Sequence, residues 1–204
     1  MSSTNSPTLG NRTAIKKPRV VRGVPPHPIR RKHYREDSLP SLLRDFLRRC
    51  AYCMNRESED EGFKIDHFWP TSKGGSFTDY LNLFLSCDRC NHHKWDHWPT
   101  RAERNLGIRF LNCCEETDYG DHIFERENGE LYSETPEGRY HIRMIFLNRP
   151  DLVRLRQKRR QFLAIVNAPV TGMNFGSEVE AKLAVLSKLL KELIPAIPRE
   201  STNS

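Results

Sequence analysis

Two CxxC pairs constrain the fold of this chain more than any other feature of its sequence. The pairs are Cys50-Ala-Tyr-Cys53 and Cys87-Asp-Arg-Cys90. Each pair has the spacing at which two thiolates bind one cation. Four thiolates form a closed tetrahedral zinc site, which adds folding free energy and leaves no open coordination position. The spacing therefore predicts a structural zinc site that holds the intervening segment rigidly.

A disulfide or a redox-active pair is the alternative use of a CxxC motif. The N-terminus lacks the apolar stretch of a secretory signal, and no apolar stretch reaches the roughly 18 residues of a membrane span. We therefore expect a cytoplasmic protein without a membrane segment, in a compartment where paired cysteines bind metal more often than they form disulfides. Cys113 and Cys114 are predicted to be thiols outside the zinc site.

Basic residues are concentrated at the N-terminus. The net charge is +7, and residues 1–35 carry nine Lys or Arg residues and no acidic residue. The rest of the chain has 24 basic and 26 acidic residues, a net charge of −2. Residues 1–36 are therefore predicted to be a disordered basic arm, which either binds phosphates or is a solvated leader.

The fold class predicted from the local patterns is α+β, with a small zinc-stapled hairpin core in a mostly helical domain. The core is placed at residues 37–100, and hydrophobic spacing and turn signals order its elements as helix, strand, strand and helix. The first helix is predicted over 38–49 with Ser38 as its N-cap, and the second over 88–95 with Asp88 as its N-cap. The two strands are predicted over 62–67 and 81–87, with Gly74-Gly75 in the turn between them.

The remaining chain is predicted to be a helical extension followed by a C-terminal helix and tail. Residues 101–175 contain an Asn128-Gly129 hairpin signal, a weak helix over 138–147 and a strong helix that begins at Pro150. Residues 176–204 contain a helix over about 177–194 with a heptad-like apolar seam. This seam either packs on its own domain or forms a partner or homodimer surface.

A second set of polar residues lies between and beside the cysteine pairs. Asp66 and Asn91 offer the oxygen ligands that a divalent ion such as Mg²⁺ prefers. His67 could take a proton from water, although a regular strand would point it to the face opposite Asp66. Asn82 could hold one ring nitrogen of His67 and so select its tautomer.

These residues, written C-x-x-C … DH … GG … N … C-x-x-C-N-x-x-K over residues 50–94, resemble the ββα-metal HNH endonucleases with Asn as the third motif residue. The resemblance implies a DNA-cleaving nuclease in which His67 is the general base and Asn82 orients it. It also implies that Asp66 and Asn91 hold a catalytic Mg²⁺ or Mn²⁺, that the four cysteines hold zinc, and that Lys94 meets a phosphate.

Two features leave alternatives open. The family often has His at the position of Asn91, and His92 or His93 could replace or join Asn91 and select a softer ion such as Mn²⁺, Ni²⁺ or Zn²⁺. A weaker resemblance links the later chain to the HNH subunits of Septu-type and retron-linked anti-phage systems, which act with an ATPase partner. It rests on Ile142, Leu147, Asn148, Leu152 and Arg156.

The main competing hypothesis is a catalytically inactive, zinc-stabilised module that binds nucleic acid or a protein. The Asp66-His67 pair favours the nuclease, because a binding module needs no such pair on the strand before the turn. RNA instead of DNA as the substrate is a third interpretation.

Overall fold

The structure, a computed structural model, describes residues 13–14, 20–25, 27–56, 62–115, 121–167 and 175–193. It has helices and two small antiparallel sheets, so the α+β class is confirmed. The chain divides into two compact units, Met1–Asn148 and Arg149–Ser204. Each helix in the described part of the chain is too short or too polar to cross a membrane.

The first unit contains both cysteine pairs and every predicted site residue. Its strands are β1 (Thr13–Ala14), β2 (Phe63–His67), β3 (Leu83–Cys87), β4 (Phe124–Glu125) and β5 (Leu131–Tyr132). Its α-helices are α1 (Tyr34–Asp45), α2 (Asp88–Lys94), α3 (Arg101–Asn105) and α4 (Pro136–Met144). Short 3₁₀ helices cover Arg31–His33, Thr71–Lys73 and Tyr80–Asn82. The strands form one sheet in the order β1-β4-β5 and a separate β2-β3 hairpin.

The β2-β3 hairpin is the element that carries the candidate site. Its strands are antiparallel, with Asp66 opposite Phe84 and His67 opposite Leu83. The predicted glycine turn is confirmed, since Gly74 takes a positive φ of 99°. Gly75 is required for another reason, because a Cβ atom there would lie 1.8 Å from the Trp69 carbonyl oxygen.

The helix before the hairpin begins earlier than predicted. α1 starts at Tyr34 and ends at Asp45, so Ser38 lies inside it and does not cap it. The buried Ser38 hydroxyl donates back to the Tyr34 carbonyl, a bond that lets a serine sit within a helix. The helix predicted at residue 88 is also capped differently, since Cys87 is the N-cap and Asp88 is the first helical residue.

Part of the basic arm packs against the rest of the first unit. The Val20 amide donates to the Cys113 carbonyl at 3.0 Å. The Arg22 guanidinium donates to the Leu83 carbonyl at 2.9 Å and lies 4.4 Å from the Tyr80 ring centroid, with 7% of its side chain exposed. Within 20–25 and 27–36, where the sequence predicts disorder, the structure thus has defined contacts, since Arg22 meets buried acceptors and aromatic rings and the Arg30 guanidinium donates to Asp37 at 2.8 Å. Residues 1–12, 15–19 and 26 lie outside the described residues.

The later elements agree with the sequence patterns. Gly129 takes a φ of 80° in the turn between β4 and β5, and the weakly predicted helix is present as α4. In its described residues, the second unit contains α5 (Pro150–Asn167) and α6 (Phe175–Leu193), which contact each other. The division of the chain into four segments and the homodimer surface on α6 stay predictions.

Candidate active site and metal centre

The four cysteines of the CxxC pairs converge at one point. Their Sγ atoms all lie within 4.8 Å of one another, and those of Cys53 and Cys87 are 3.8 Å apart. A tetrahedral ion with metal–sulfur bonds of about 2.3 Å requires sulfur–sulfur distances of roughly 3.8 Å. Cys50 and Cys90 are buried, and the Ala51 amide donates to the Leu85 carbonyl at 2.8 Å, which attaches the first pair to β3. The cluster therefore fits one tetrahedral metal ion.

Asp66 is buried against the element that carries the first cysteine pair. It is 5% exposed, and its carboxylate accepts hydrogen bonds from the Tyr52 hydroxyl and from the Lys94 ammonium at 3.0 Å. Burial raises the pKa of the Asp66 carboxyl, and the Lys94 ammonium partly offsets that effect. Tyr52 lies between Cys50 and Cys53, so one hydrogen bond links the cysteine cluster to the predicted metal ligand.

Lys94 does not occupy the surface position that the family resemblance implies. Its side chain is fully buried, and the ammonium donates to Asp66 and to the His67 carbonyl at 2.9 Å. Burial lowers the pKa of Lys94, and Asp66 partly offsets that effect. The predicted phosphate contact therefore needs correction, because α2 packs on β2 and turns its last residue inward.

His67 lies on the opposite face of β2 and is half-buried. Its Nε2 atom is 3.1 Å from the Phe77 carbonyl oxygen, and its ring lies 4.8 Å from the Phe77 ring and 5.7 Å from the Tyr34 ring. A carbonyl oxygen can only accept, so Nε2 carries the proton in this bond. The lone pair then resides on Nδ1, which is the nitrogen available to accept a proton.

Asn82 holds the turn rather than the imidazole ring. Its side-chain oxygen accepts from the Trp69 amide at 2.8 Å, and its side-chain nitrogen donates to the carbonyls of Trp69 at 3.0 Å and Ser76 at 2.8 Å. Ser76 precedes Phe77, whose carbonyl meets His67. The Asn82 side chain is thus connected to His67 through the backbone of the turn.

Asn91 is half-buried on α2, three residues before Lys94. Residues three apart share a face of a helix, so Asn91 lies on the same face of α2 as Lys94, the residue that contacts Asp66. His92 is exposed, and the His93 ring lies 5.1 Å from the Phe146 ring. In the described part of the chain, the cysteine cluster is the one group of three or more His, Cys, Asp or Glu side chains that could share an ion.

Three residues of the site lack a specific signal in the sequence. Tyr52 and Phe77 are ordinary aromatic residues in a CxxC pair and in a loop, and their roles depend on the distant partners Asp66 and His67. The position of Trp69, two residues after His67, indicates only that it follows the strand. Its contacts with Asn82 and Trp98, like the contacts of the other two residues, required the fold.

The site combines a cysteine cluster with an antiparallel hairpin, a following helix and an Asp-His pair on the first strand, in the chain order that the sequence resemblance predicts. Residues 50–107 match the family model described as HNH endonuclease. The match includes both cysteine pairs and all the predicted site residues, and it supports an HNH-type nuclease. No curated protein matches the chain.

Proposed function

We propose that this chain is a metal-dependent HNH endonuclease that hydrolyses phosphodiester bonds of DNA. The observation that carries the proposal is the match of residues 50–107 to the HNH endonuclease model. It is supported by the hairpin, whose first strand carries the consecutive residues Asp66 and His67, and by the helix that bears Asn91.

His67 is the general base in this proposal. The bond between Nε2 and the Phe77 carbonyl leaves Nδ1 basic, so Nδ1 takes a proton from the water that attacks the phosphorus atom. The rings of Phe77 and Tyr34 restrict the rotation of the imidazole. Asn82 contributes by fixing the turn that carries the Phe77 carbonyl.

Asp66 and Asn91 are the residues that would hold a catalytic Mg²⁺ or Mn²⁺. Both supply oxygen donors, and a carboxylate has about four acceptor sites, so Asp66 retains capacity beyond its bonds to Tyr52 and Lys94. Such an ion, when bound, stabilises the negative charge that develops on the phosphate. The protein contributes a rigid carboxylate, because Tyr52 and Lys94 hold Asp66 in one orientation.

The four cysteines are proposed to hold a structural zinc ion. Soft thiolate ligands favour zinc, and four of them fill its tetrahedral coordination, so no coordination position is left for a substrate or a water molecule. The ion would connect the chain before β2 to the junction of β3 and α2. The residues between these points are the ones assigned to catalysis.

The test is conversion of supercoiled plasmid by the full chain, with a panel of Mg²⁺, Mn²⁺, Ni²⁺ and Zn²⁺. We expect nicked circles before linear DNA, since one site of this kind cuts one strand per event. His67→Ala should bind DNA normally and cut at least about a hundredfold more slowly, given the usual contribution of a general base. His97→Ala, which changes an exposed histidine of the same segment, is the matched control, and equal cutting by the wild type and His67→Ala would remove His67 from the mechanism.

A second candidate is the inactive binding module. The pairing of Asp66 with Lys94 favours it, because the ammonium already neutralises the carboxylate that a catalytic ion would need. This candidate predicts that the protein retains DNA in gel-shift experiments and cuts neither DNA nor RNA with any ion of the panel.

The biological context is a further part of the proposal. The weaker family resemblance suggests an effector of anti-phage defence that acts with an ATPase partner, and the α6 seam suggests a homodimer. Affinity purification from the native host followed by mass spectrometry tests the ATPase, and sedimentation equilibrium tests the dimer. A monomer that purifies without any ATPase would contradict both.

A further inference from the structure

The residue opposite His67 in the hairpin presents its carbonyl to the outer edge of β3. The Phe68 amide donates to the Asn82 carbonyl at 2.8 Å, which places these two residues at a hydrogen-bonded position of the hairpin. Hydrogen-bonded and non-hydrogen-bonded pairs alternate along an antiparallel ladder, so the next pair, His67 and Leu83, exchanges no hydrogen bonds. The Leu83 carbonyl therefore points away from β2 and offers an acceptor to a segment outside the hairpin.

Arg22 of the N-terminal arm is the donor that this carbonyl meets. Its guanidinium donates to the Leu83 carbonyl at 2.9 Å. The same guanidinium nitrogen donates to the Tyr80 carbonyl, at the start of the 3₁₀ helix that precedes β3. Arg22 thus bridges both ends of the short segment that contains Asn82.

The Arg22 side chain is enclosed by aromatic rings. Its guanidinium carbon lies 4.4 Å from the ring centroid of Tyr80, 5.1 Å from that of Phe46 and 5.6 Å from that of Phe84, and 7% of the side chain is exposed. Arginine combines a planar face that stacks on rings with a fork of donors, and lysine has neither. A guanidinium enclosed in this way is not available to a DNA phosphate, so the phosphate contacts considered for the basic arm do not include Arg22.

Asp45 compensates for the buried charge and fastens the arm to the same segment. Its carboxylate lies 3.8 Å from the Arg22 Nε atom, and 4% of its side chain is exposed. It accepts hydrogen bonds from the Gly23 amide at 2.7 Å and from the Tyr80 hydroxyl at 2.8 Å. A charge can be buried where such a partner replaces its hydration. The arm, the last residue of α1 and the 3₁₀ helix before β3 are therefore joined at one carboxylate.

Asn82 connects this anchored segment to the proposed general base. Its side chain donates to the Ser76 carbonyl at 2.8 Å, and the next residue, Phe77, supplies the carbonyl that lies 3.1 Å from His67 Nε2. The contacts therefore run from Arg22 through the segment and the Asn82 side chain to the Phe77 carbonyl. A shift of the segment moves that carbonyl, and the imidazole then loses the bond that keeps the proton on Nε2 and leaves Nδ1 basic.

We propose that Arg22 is a positioning residue of the nuclease site, which holds the segment of Asn82 in place and thereby fixes the Phe77 carbonyl that orients His67. The inference rests on the proposed nuclease function, and it gives the N-terminal arm a part in that function other than binding phosphate. Arg22 acts through other residues and does not touch the substrate. Its loss therefore slows the chemical step and leaves the affinity for DNA unchanged.

The test compares Arg22→Gln with the wild type in the full chain, by the kinetics of plasmid nicking and by NMR of protein that carries nitrogen-15 in its histidines. We expect kcat to fall roughly ten- to a hundredfold at unchanged KM, since a misplacement of about 1 Å can have an effect of that size. The Nε2 proton of His67, which the Phe77 carbonyl protects, should exchange with water faster in the variant.

Two control variants separate positioning from charge and from stability. Lys32→Gln removes an exposed positive charge from the same arm and should leave kcat and the exchange of the His67 proton unchanged. Leu131→Ala removes buried apolar contacts from the separate β1-β4-β5 sheet, so it lowers stability and should leave both readouts unchanged well below its unfolding transition. Arg22→Lys, which keeps the charge without the planar fork, replaces Arg22→Gln if that variant does not fold.

The positioning role is overturned if Arg22→Gln keeps the kcat and the proton exchange of the wild type, or if its KM rises at unchanged kcat. It is also overturned if Leu131→Ala changes both readouts by the same factors. A wild-type protein that never nicks plasmid contradicts the nuclease, and the exchange of the His67 proton then still decides whether Arg22 holds the turn. A wild-type protein that nicks plasmid no faster than Arg22→Gln does contradicts the positioning role alone.

Discussion

The ammonium of Lys94 lies 3.0 Å from each carboxylate oxygen of Asp66, and both side chains are buried. Tyr52 donates to the same carboxylate from between two residues of the cysteine cluster. The charge pair and this hydrogen bond therefore join the segment of the first cysteine pair, the first strand of the hairpin and the end of α2. This connection ties the stability of the fold to the position of the proposed catalytic carboxylate.

Lys94→Met should destabilise the fold strongly, because it leaves the Asp66 carboxylate buried without its cation. We expect the free energy of unfolding in urea to fall by about 3–5 kcal/mol, the usual effect of removing one partner of a buried pair. The control is Lys64→Met on the same strand, where a partly exposed ammonium lies 3.8 Å from Asp88 and should contribute no more than about 1 kcal/mol. Equal stability of the two variants would show that the Asp66–Lys94 pair is not a stabilising contact.

Cys87→Ser should remove the metal ion and unfold the hairpin core, because three thiolates and a hydroxyl bind zinc poorly. Elemental analysis should find one zinc per wild-type chain and almost none in the variant, and the cooperative thermal transition should be lost. Cys114→Ser, outside the cluster, should retain both the metal and the transition. Wild-type protein purified without zinc would refute a structural zinc site.

Asn82→Asp should loosen the turn, because a carboxylate cannot donate to the carbonyls of Trp69 and Ser76. We expect a loss of about 0.5–1.5 kcal/mol in the free energy of unfolding, the range for ordinary hydrogen bonds whose partners can be hydrated. Plasmid nicking should fall as well, since the Phe77 carbonyl that holds His67 belongs to the same turn. Asn105→Asp, at the exposed end of α3, is the matched substitution, and unchanged nicking by Asn82→Asp would exclude an orienting role.

Cys114 should be alkylated with a midpoint near pH 7. Its hydrogen bond with Cys113 and then its contact with Arg22, 3.7 Å away, lower its pKa to about 7 against the opposing effect of burial. Only the thiolate reacts, so the rate with iodoacetamide should rise as the pH increases through 7 and level off above it. Mass spectrometry of zinc-loaded protein beside Cys114→Ser identifies the site, and a rate still climbing steadily at pH 9 would contradict the lowered pKa.

The sequence of this protein determines its local elements and the identity of its candidate ligands. Two CxxC pairs, a glycine turn, an Asn128-Gly129 hairpin and Pro150 each act over a few residues, and the structure has the corresponding elements at nearly the predicted bounds. Strand alternation likewise places Asp66 and His67 on opposite faces. Such signals are readable because backbone geometry relates neighbours in the chain directly.

Only the tertiary structure decides which of the polar side chains are buried and what they meet. Lys94 resembles a surface lysine in the sequence, yet it is buried. It lies on the inward face of α2, where its ammonium donates to Asp66, 28 residues earlier in the chain. Arg22 belongs to a basic arm and is nevertheless inserted among carbonyls and rings about 60 residues later. A charge can be buried only where a partner compensates for lost hydration, and the position of that partner depends on the packing of the whole unit.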